Sequence, residues 1–314
     1  MNSVMEPSPA SLSNPLLRYV LATRPPFLSV TLVGCLLGLA CAAGAGARID
    51  ALSAVLTCFF ALVAHAGVNV LNDYFDARNG TDAQNTERVY PFTGGSRFIQ
   101  NGILTERATG HFGYLLLLSV IPAGLWLTAH SSAQLLYVGF AGLVVGWAYS
   151  APPLQLVSRG LGEFAIAAAW CLVVVGSDLV QRRVFAPASV LAGICYALLV
   201  ANVLFINQFP DARADAAAGK RTLVVRLRPG PARAVYTLIV VLSAVGLVLG
   251  VATGILPRAT LLALLPLLLS AAAARALWLG GGKPAGLGGP IRLTILAALA
   301  YGLVFAGALL WGQG

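Results

Sequence analysis

Long apolar segments dominate this sequence and constrain its fold more than any other feature. Nine runs are each close to the 20 or so residues that an α-helix needs to cross a bilayer. Charged residues make up only 10% of the 314 residues, against about 25% in soluble domains. We therefore predict an all-α, multi-pass transmembrane bundle of about nine helices. The runs cover residues 27–46, 51–71, 111–129, 132–150, 161–180, 187–208, 233–253, 259–278 and 291–312.

The basic residues are distributed unevenly between the connections on the two sides of this predicted bundle. With a cytoplasmic N-terminus, most of the 20 lysine and arginine residues fall on the cytoplasmic side, as membrane proteins prefer. This asymmetry favours nine crossings and an external C-terminus. The net charge of +9 then reflects orientation in the bilayer, and we predict no nucleic-acid partner.

The domain organisation predicted from the sequence is simple. Residues 1–14 are rich in Ser, Pro and Asn, which is typical of a disordered tail. Residues 15–314 form a single transmembrane domain. The spacing of two acidic segments within it suggests two four-helix units, residues 27–150 and 161–278, followed by a ninth helix at 291–312.

The first acidic segment follows the second apolar run and has the sequence NVLNDYFDARNGTD, residues 69–82. If the helix continues into it, Asn69, Asp73 and Asp76 stand at i, i+4 and i+7 on one helix face. Like charges at this spacing repel each other unless a cation lies between them. Asn72 and Asp82 belong to the same segment.

The second acidic segment follows the sixth apolar run and begins at Asn207. Asp211 and Asp215 form an i, i+4 pair, and Lys220 lies just beyond them. Four predicted crossings separate the two segments, so both lie on the same side of the membrane. Either segment alone is explained by a solvated loop with scattered charge. Together with Glu163 they gather more than half of the 11 acidic residues at one end of the bundle, which favours a functional site.

Two carboxylate clusters on one side of the membrane suit a hard divalent cation. Magnesium prefers oxygen ligands, uses few protein carboxylates and completes its shell with water and substrate phosphate. Arginine and lysine side chains beside the clusters can neutralise further phosphate charge, and a diphosphate bound in this way becomes a good leaving group. The basic candidates are Arg78, Arg97, Lys220 and Arg221.

At these residues the chain resembles the UbiA superfamily of intramembrane aromatic prenyltransferases. The likeness covers Arg24-Pro25 before the first run, residues 72–76 in the first segment, and residues 211–215 with the following Gly-Lys-Arg-Thr. Within the superfamily it is strongest to the menaquinone-pathway branch, the 1,4-dihydroxy-2-naphthoate polyprenyltransferases. The stretches that carry this likeness are NDYFDARNGTD, TGGSRFIQ (93–100) and RGLGE (159–163). The 4-hydroxybenzoate branch usually has a further Asp where this chain has Gly80, and the departure leaves open whether Asp82 binds metal.

The resemblance implies a nine-helix fold, a Mg²⁺ cofactor and transfer of a prenyl group from its diphosphate to an aromatic acceptor. It implies that the metal ions are held by Asp73, Asp76, Asp211 and Asp215. The amides Asn69, Asn72 and Asn207 are then substrate-binding or orienting groups. The partners are the two substrates and the lipid bilayer of a bacterial-type inner membrane; whether there are protein partners is left open.

Three further residues receive roles under this hypothesis. Tyr149, at the cytoplasmic end of the fourth run, is a candidate for stabilising an allylic cation through its ring, although an interfacial aromatic residue explains it equally well. Arg159 and Glu163 are assigned to acceptor binding or proton handling; an interfacial charge pair is the alternative.

The sequence leaves two kinds of alternative function open and disfavours a third. The acceptor could be 4-hydroxybenzoate, a haem vinyl group, a chlorophyllide or another quinone precursor. An ion-coupled transporter is an alternative of a different class, although transport sites usually lie near the bilayer midplane on broken helices. A catalytically inactive scaffold is disfavoured by the intact acids in both segments.

Overall fold

The computed structural model describes residues 6–311, and every regular element in that range is helical. Three short 3₁₀ helices, at Leu156–Arg159, Arg258–Leu264 and Pro284–Gly286, interrupt the α-helices. The all-α prediction is therefore confirmed. The α-helices in chain order are α1 (Pro15–Ala22), α2 (Pro25–Gly44), α3 (Ala51–Arg78), α4 (Thr81–Gln84), α5 (Glu106–His130), α6 (Leu135–Ser150), α7 (Gly162–Arg182), α8 (Pro187–Ala217), α9 (Leu223–Leu227), α10 (Pro229–Ala252), α11 (Leu267–Leu279) and α12 (Gly288–Trp311).

Eight helical segments of the described chain are long and apolar enough to cross a membrane. They are α2, α3, α5, α7, α8, α10, the 3₁₀–α11 unit Arg258–Leu279, and α12. The remaining predicted span, the fourth at residues 132–150, corresponds to α6, which is apolar but has only 16 residues. At a rise of about 1.5 Å per residue, α6 extends about 24 Å, less than the ~30 Å hydrocarbon core of a typical bilayer.

Close helix packing defines the centre of the bundle, where α2, α7, α8 and α12 meet. A Cβ atom on Gly38 of α2 would lie 2.2 Å from the Val174 carbonyl oxygen of α7, so only glycine permits this approach. Tyr196 of α8 is fully buried and donates a hydrogen bond of 2.6 Å to the Val30 carbonyl of α2. Burial of such side chains holds these helices in a fixed arrangement. The predicted grouping into two four-helix units stays a prediction.

Two helices run further than the apolar pattern indicated, at the same end of the bundle. The predicted spans ended at residues 71 and 208, whereas α3 continues to Arg78 and α8 to Ala217. Helix α8 passes through Pro210 without ending. Both acidic segments are consequently helical at their start, and their carboxylates are held on rigid elements.

The remaining connections at this end cover the helix termini. They include α1, α4, residues 85–105, and the stretch 218–222 before α9. Residues 6–14 also lie here: Leu12 is buried against Phe98 and Ile103, and the Asn101 side chain donates to the Pro7 carbonyl. The predicted disordered tail thus differs from the structure over residues 6–14, because Leu12 finds an apolar site; residues 1–5 lie outside the described residues.

Candidate active site

The first acidic segment places three polar side chains on one face of α3. Asp73 and Asp76 are buried, and Asn69 donates to the Thr23 carbonyl, 3.1 Å away. The Asp73 carboxylate forms an ion pair with Arg24 and accepts a hydrogen bond of 3.2 Å from the Ser96 backbone N–H. Asn72 donates to Asp76 at 3.1 Å. The expected i, i+4, i+7 arrangement is therefore present.

The second acidic segment lies directly beside the first. Asp211 accepts hydrogen bonds from the Asn85 side chain at 2.6 Å and from the Gly94 backbone N–H at 3.4 Å. Asp215, one turn further along α8, accepts a hydrogen bond of 3.3 Å from the Thr222 hydroxyl. Since Asn85 is the residue that ends α4, the two segments meet at one end of the bundle.

Lys220 is a buried cation between the two segments. Its Nζ lies 2.8 Å from Asp76 Oδ2 and 3.7 Å from Asp215 Oδ1. Burial lowers the pKa of Lys220, but the charges of Asp76 and Asp215 outweigh it, so that the pKa lies above its usual value. The ammonium group therefore stays protonated and joins α3 to α8 through a pair of ionic contacts.

A tight loop, Thr93-Gly94-Gly95-Ser96, contacts both clusters through its backbone. Gly94 and Gly95 have φ angles of +77° and +76°, in the left-handed region that favours glycine. A Cβ on Gly95 would lie 2.4 Å from Asp82 Oδ2. These two conformations aim the N–H of Gly94 at Asp211 and that of Ser96 at Asp73.

Several buried oxygen atoms at this end have no hydrogen-bond donor. They include Asp82 Oδ2, Asn85 Oδ1 and Asn207 Oδ1. Burial raises the pKa of Asp82 well above its usual range, and the neighbouring charges of Asp76 and Asp73 raise it further. Unpaired buried acceptors of this kind are costly unless a cation or donor reaches them.

These oxygen atoms fit a magnesium–diphosphate complex better than a preformed metal cage. Among residues 6–311, no three His, Cys, Asp or Glu side chains are grouped at metal-ligand spacing. Magnesium needs only one or two carboxylates when phosphate oxygens and water complete its shell. The carboxylates here are separate from one another, with Arg24 and Lys220 as local counter-charges. This arrangement agrees with a magnesium ion that is held partly by protein and partly by diphosphate.

A largely apolar cavity of about 580 Å³ begins beside the acidic clusters. Near the clusters it is lined by Asn69, Asn72, Tyr149 and Asn207, and in the bundle by side chains of α3, α5, α6 and α7. It reaches Thr128 and Ser177 toward the opposite ends of α5 and α7. The cavity suits a long hydrocarbon chain with a polar head at the acidic end.

The structure does not bring every predicted residue to this cluster. Arg78 contacts Tyr74 and the exposed Glu106 on α5, 3.5 Å away. Arg159 donates to the Pro153 carbonyl at 2.8 Å, and Arg221 is exposed. Glu163 is buried and accepts a 2.5 Å hydrogen bond from Gln208, so it forms no pair with Arg159.

Three contributors were missed by reasoning from the sequence. Arg24 pairs with Asp73, Asn85 binds Asp211, and the Ser96 backbone binds Asp73. The only signals were the Arg24-Pro25 pair and the Gly94-Gly95 pair, since a double glycine marks a backbone that must adopt unusual angles. Neither signal predicts which carboxylate is contacted.

Comparison with known proteins agrees with this geometry. The model of the UbiA prenyltransferase family matches residues 28–285. A 1,4-dihydroxy-2-naphthoate octaprenyltransferase from Mycobacterium tuberculosis is 30% identical over 266 residues, which cover 83% of this chain and 86% of that protein. An enzyme of the same name from Bacillus subtilis is 26% identical over 65% of this chain and 63% of its own length.

A solved structure shares the fold. The UbiA homologue from Archaeoglobus fulgidus, bound to DMAPP and Mg²⁺, superposes with a TM-score of 0.59 over 92% of this chain and 99% of that one, at 17% identity. Residues 28–285 include both acidic segments and the loop at residues 93–96 that contacts both of them. The chain is therefore an integral membrane enzyme that belongs to the UbiA prenyltransferase family.

Proposed function

We propose that this enzyme transfers a polyprenyl group from a prenyl diphosphate to 1,4-dihydroxy-2-naphthoate in a Mg²⁺-dependent reaction of menaquinone biosynthesis. The observation that carries the proposal is the meeting of two acidic helix ends at the mouth of a long apolar cavity. Relatives named for this activity support the choice of acceptor. The membrane is the bacterial inner membrane, with the acidic end cytoplasmic.

The charged residues at the mouth bind the diphosphate. Magnesium, when bound, neutralises the charge that develops on the diphosphate as it leaves. Asp73, Asp76, Asp211 and Asp215 hold the metal, and Asp82 Oδ2 is a further acceptor oxygen within this cluster. Asn69, Asn72 and Asn207 line the cavity just below the acids and orient the first atoms of the donor.

The cavity protects the reacting carbon from water. Loss of the diphosphate leaves an allylic cation, which apolar walls shield from hydrolysis. Tyr149 is buried and lines the cavity near the acidic end, where its ring stabilises positive charge. The acceptor ring attacks the cation and regains its aromaticity by losing either CO₂ or a proton. Where a proton is lost, Glu163, whose Oε2 has no hydrogen-bond partner, accepts it.

The proposal is tested with purified protein in lipid vesicles, a prenyl diphosphate, and a panel of aromatic acceptors. We expect a prenylated product with 1,4-dihydroxy-2-naphthoate, and its loss when EDTA removes Mg²⁺. Product only with 4-hydroxybenzoate, haem or a chlorophyllide would overturn the acceptor assignment. Substrate transport without any prenylation would support the transporter alternative, which family membership already disfavours.

Glycines in the cavity provide a test of where the donor chain lies. Gly139 and Gly142 of α6 line the cavity, and a Cβ on either would meet no atom within 4 Å. Gly142 lies seven residues before Tyr149, about 10 Å deeper along the helix. A leucine there fills space that a long chain needs, whereas a short donor ends above it.

We therefore expect Gly142→Leu to reduce turnover of long-chain donors by about 10-fold or more, since each 1.4 kcal/mol lost is tenfold. Turnover of dimethylallyl diphosphate stays within about twofold of wild type. Gly307→Leu is the matched control, because Gly307 of α12 also faces open space but does not line the cavity. Equal inhibition of short and long donors by Gly142→Leu would contradict this placement of the chain.

A further inference from the structure

Two arginines outside the acidic helices converge on one carboxylate. Arg88 Nε and Nη2 lie 2.7 and 2.5 Å from Glu6 Oε1. Arg97 Nε lies 3.8 Å from Glu6 Oε2 and has no hydrogen-bond partner although it is buried. Both guanidinium groups thus face the same small anion, which the N-terminal segment of the chain itself supplies.

The arginine pair is joined to the candidate active site through its remaining donors. Arg97 Nη1 donates to the Asp82 carbonyl. Arg88 Nη1 donates to the Asn85 carbonyl at 2.5 Å, and the Asn85 side chain binds Asp211. An anion held by Arg88 and Arg97 is therefore linked to the first acidic segment directly through Asp82 and to the second through Asn85.

Arg88 and Arg97 place two positive charges side by side, and an anion between them stabilises this arrangement. Burial lowers the pKa of Arg97, the neighbouring charge of Arg88 lowers it further, and the Glu6 carboxylate acts in the opposite direction. Two guanidinium groups that share one oxyanion form the strong, charge-assisted kind of hydrogen bond. Removing Glu6 leaves two adjacent positive charges that a substrate oxyanion can neutralise.

The Glu6 carboxylate is partly open to solvent, where another anion can compete with it. Its side chain is 29% exposed, and contact with water screens an ion pair and weakens it. Elsewhere in the described segment before Leu12, the Asn101 side chain donates a hydrogen bond to the Pro7 carbonyl. Leu12, buried beside Phe98, anchors the segment at its C-terminal end.

We propose that Arg88 and Arg97 form an oxyanion subsite at the mouth of the active site, and that Glu6 closes it in the free enzyme. The subsite takes either the diphosphate of the donor or the carboxylate of the aromatic acceptor, both of which present oxygen atoms to guanidinium groups. The identity of these substrates rests on the proposed function, but the subsite and its closure do not.

Binding of small anions to purified protein tests the proposal without any turnover. Inorganic diphosphate and benzoate are the two probes, and their dissociation constants are measured for wild type and Glu6→Gln. We expect Glu6→Gln to bind one probe at least about fivefold more tightly, within the usual range of coupling between competing ligands. The probe that gains affinity identifies which substrate the subsite serves.

Two further variants make the result specific. Glu87→Gln is the matched control, because it also removes one negative charge, from the residue that precedes Arg88, but Glu87 pairs with the exposed Arg213. We expect its affinities for both probes to stay at the wild-type level. Glu6→Gln/Arg88→Gln loses the gain. If Glu6→Gln binds both probes like wild type, or if the double variant keeps the gain, the subsite does not exist. Absence of prenyl transfer with every acceptor would overturn the proposed function but leave this result standing.

Discussion

Asp73→Asn and Asp211→Asn are each expected to lower prenyl transfer by at least about 100-fold, the loss typical when a group that stabilises transition-state charge is removed. Each change removes one negative charge while retaining a side chain of nearly the same size. The two residues lie on different helices, α3 and α8, yet both contact the loop at residues 93–96. We expect both losses because the diphosphate complex requires carboxylates from both helices.

The measurement is steady-state transfer at saturating Mg²⁺, together with the amount of protein inserted in the membrane. Glu106→Gln is the matched control, since it removes one charge from an exposed ion pair with Arg78, and it retains activity within about twofold. Activity within about threefold of wild type in either aspartate variant, with normal insertion, would show that the site assignment is wrong.

Lys220→Met is expected to destabilise the protein as well as reduce its activity. The substitution leaves Asp76 and Asp215 buried without their shared cation, and removing one partner of a buried ion pair typically costs about 3–5 kcal/mol. A divalent cation can replace part of the lost positive charge. We therefore expect a lower melting temperature in EDTA and a partial recovery when Mg²⁺ is added.

Thermal melting in detergent with and without Mg²⁺ measures this effect. Arg221→Met provides the control, because Arg221 is the adjacent cation but is exposed, and its melting temperature stays near that of wild type under both conditions. A Lys220→Met protein that melts like wild type in EDTA would mean that the two carboxylates are not held together by this lysine.

The sequence predicted the fold well because its strongest signal, long apolar runs, depends only on the bilayer as solvent. The sequence also predicted that residues at helical spacing, such as Asn69, Asp73 and Asp76, share one face of a helix, here α3. The convergence of Asp73 and Asp211 followed from counting crossings. The first of these inferences needs only the repeat of one helix, and the second needs only an even number of membrane crossings between the two segments.

Contacts that depend on irregular backbone could not be predicted in this way. The direction of the Gly94 and Ser96 N–H groups is set by two left-handed glycines, and the pairing of Arg24 with Asp73 spans 49 positions in the sequence. Proximity in sequence also misled: Arg78 and Arg221 adjoin the acidic segments, but Arg78 contacts Glu106 on α5 and Arg221 is exposed. A charged side chain beside a motif can point in any direction from the backbone, and only the three-dimensional packing determines which groups it contacts.

The 16-residue length of α6 makes this helix sensitive to the membrane around it. Lipid beside a segment about 6 Å shorter than the hydrocarbon core must thin, or the segment must shift, at a small cost for each ångström of mismatch. The central helices are held by glycine contacts such as Gly38 against Val174, so they resist that force. Since Gly139 and Gly142 of α6 line the cavity, we expect bilayer thickness to act on the width of this cavity.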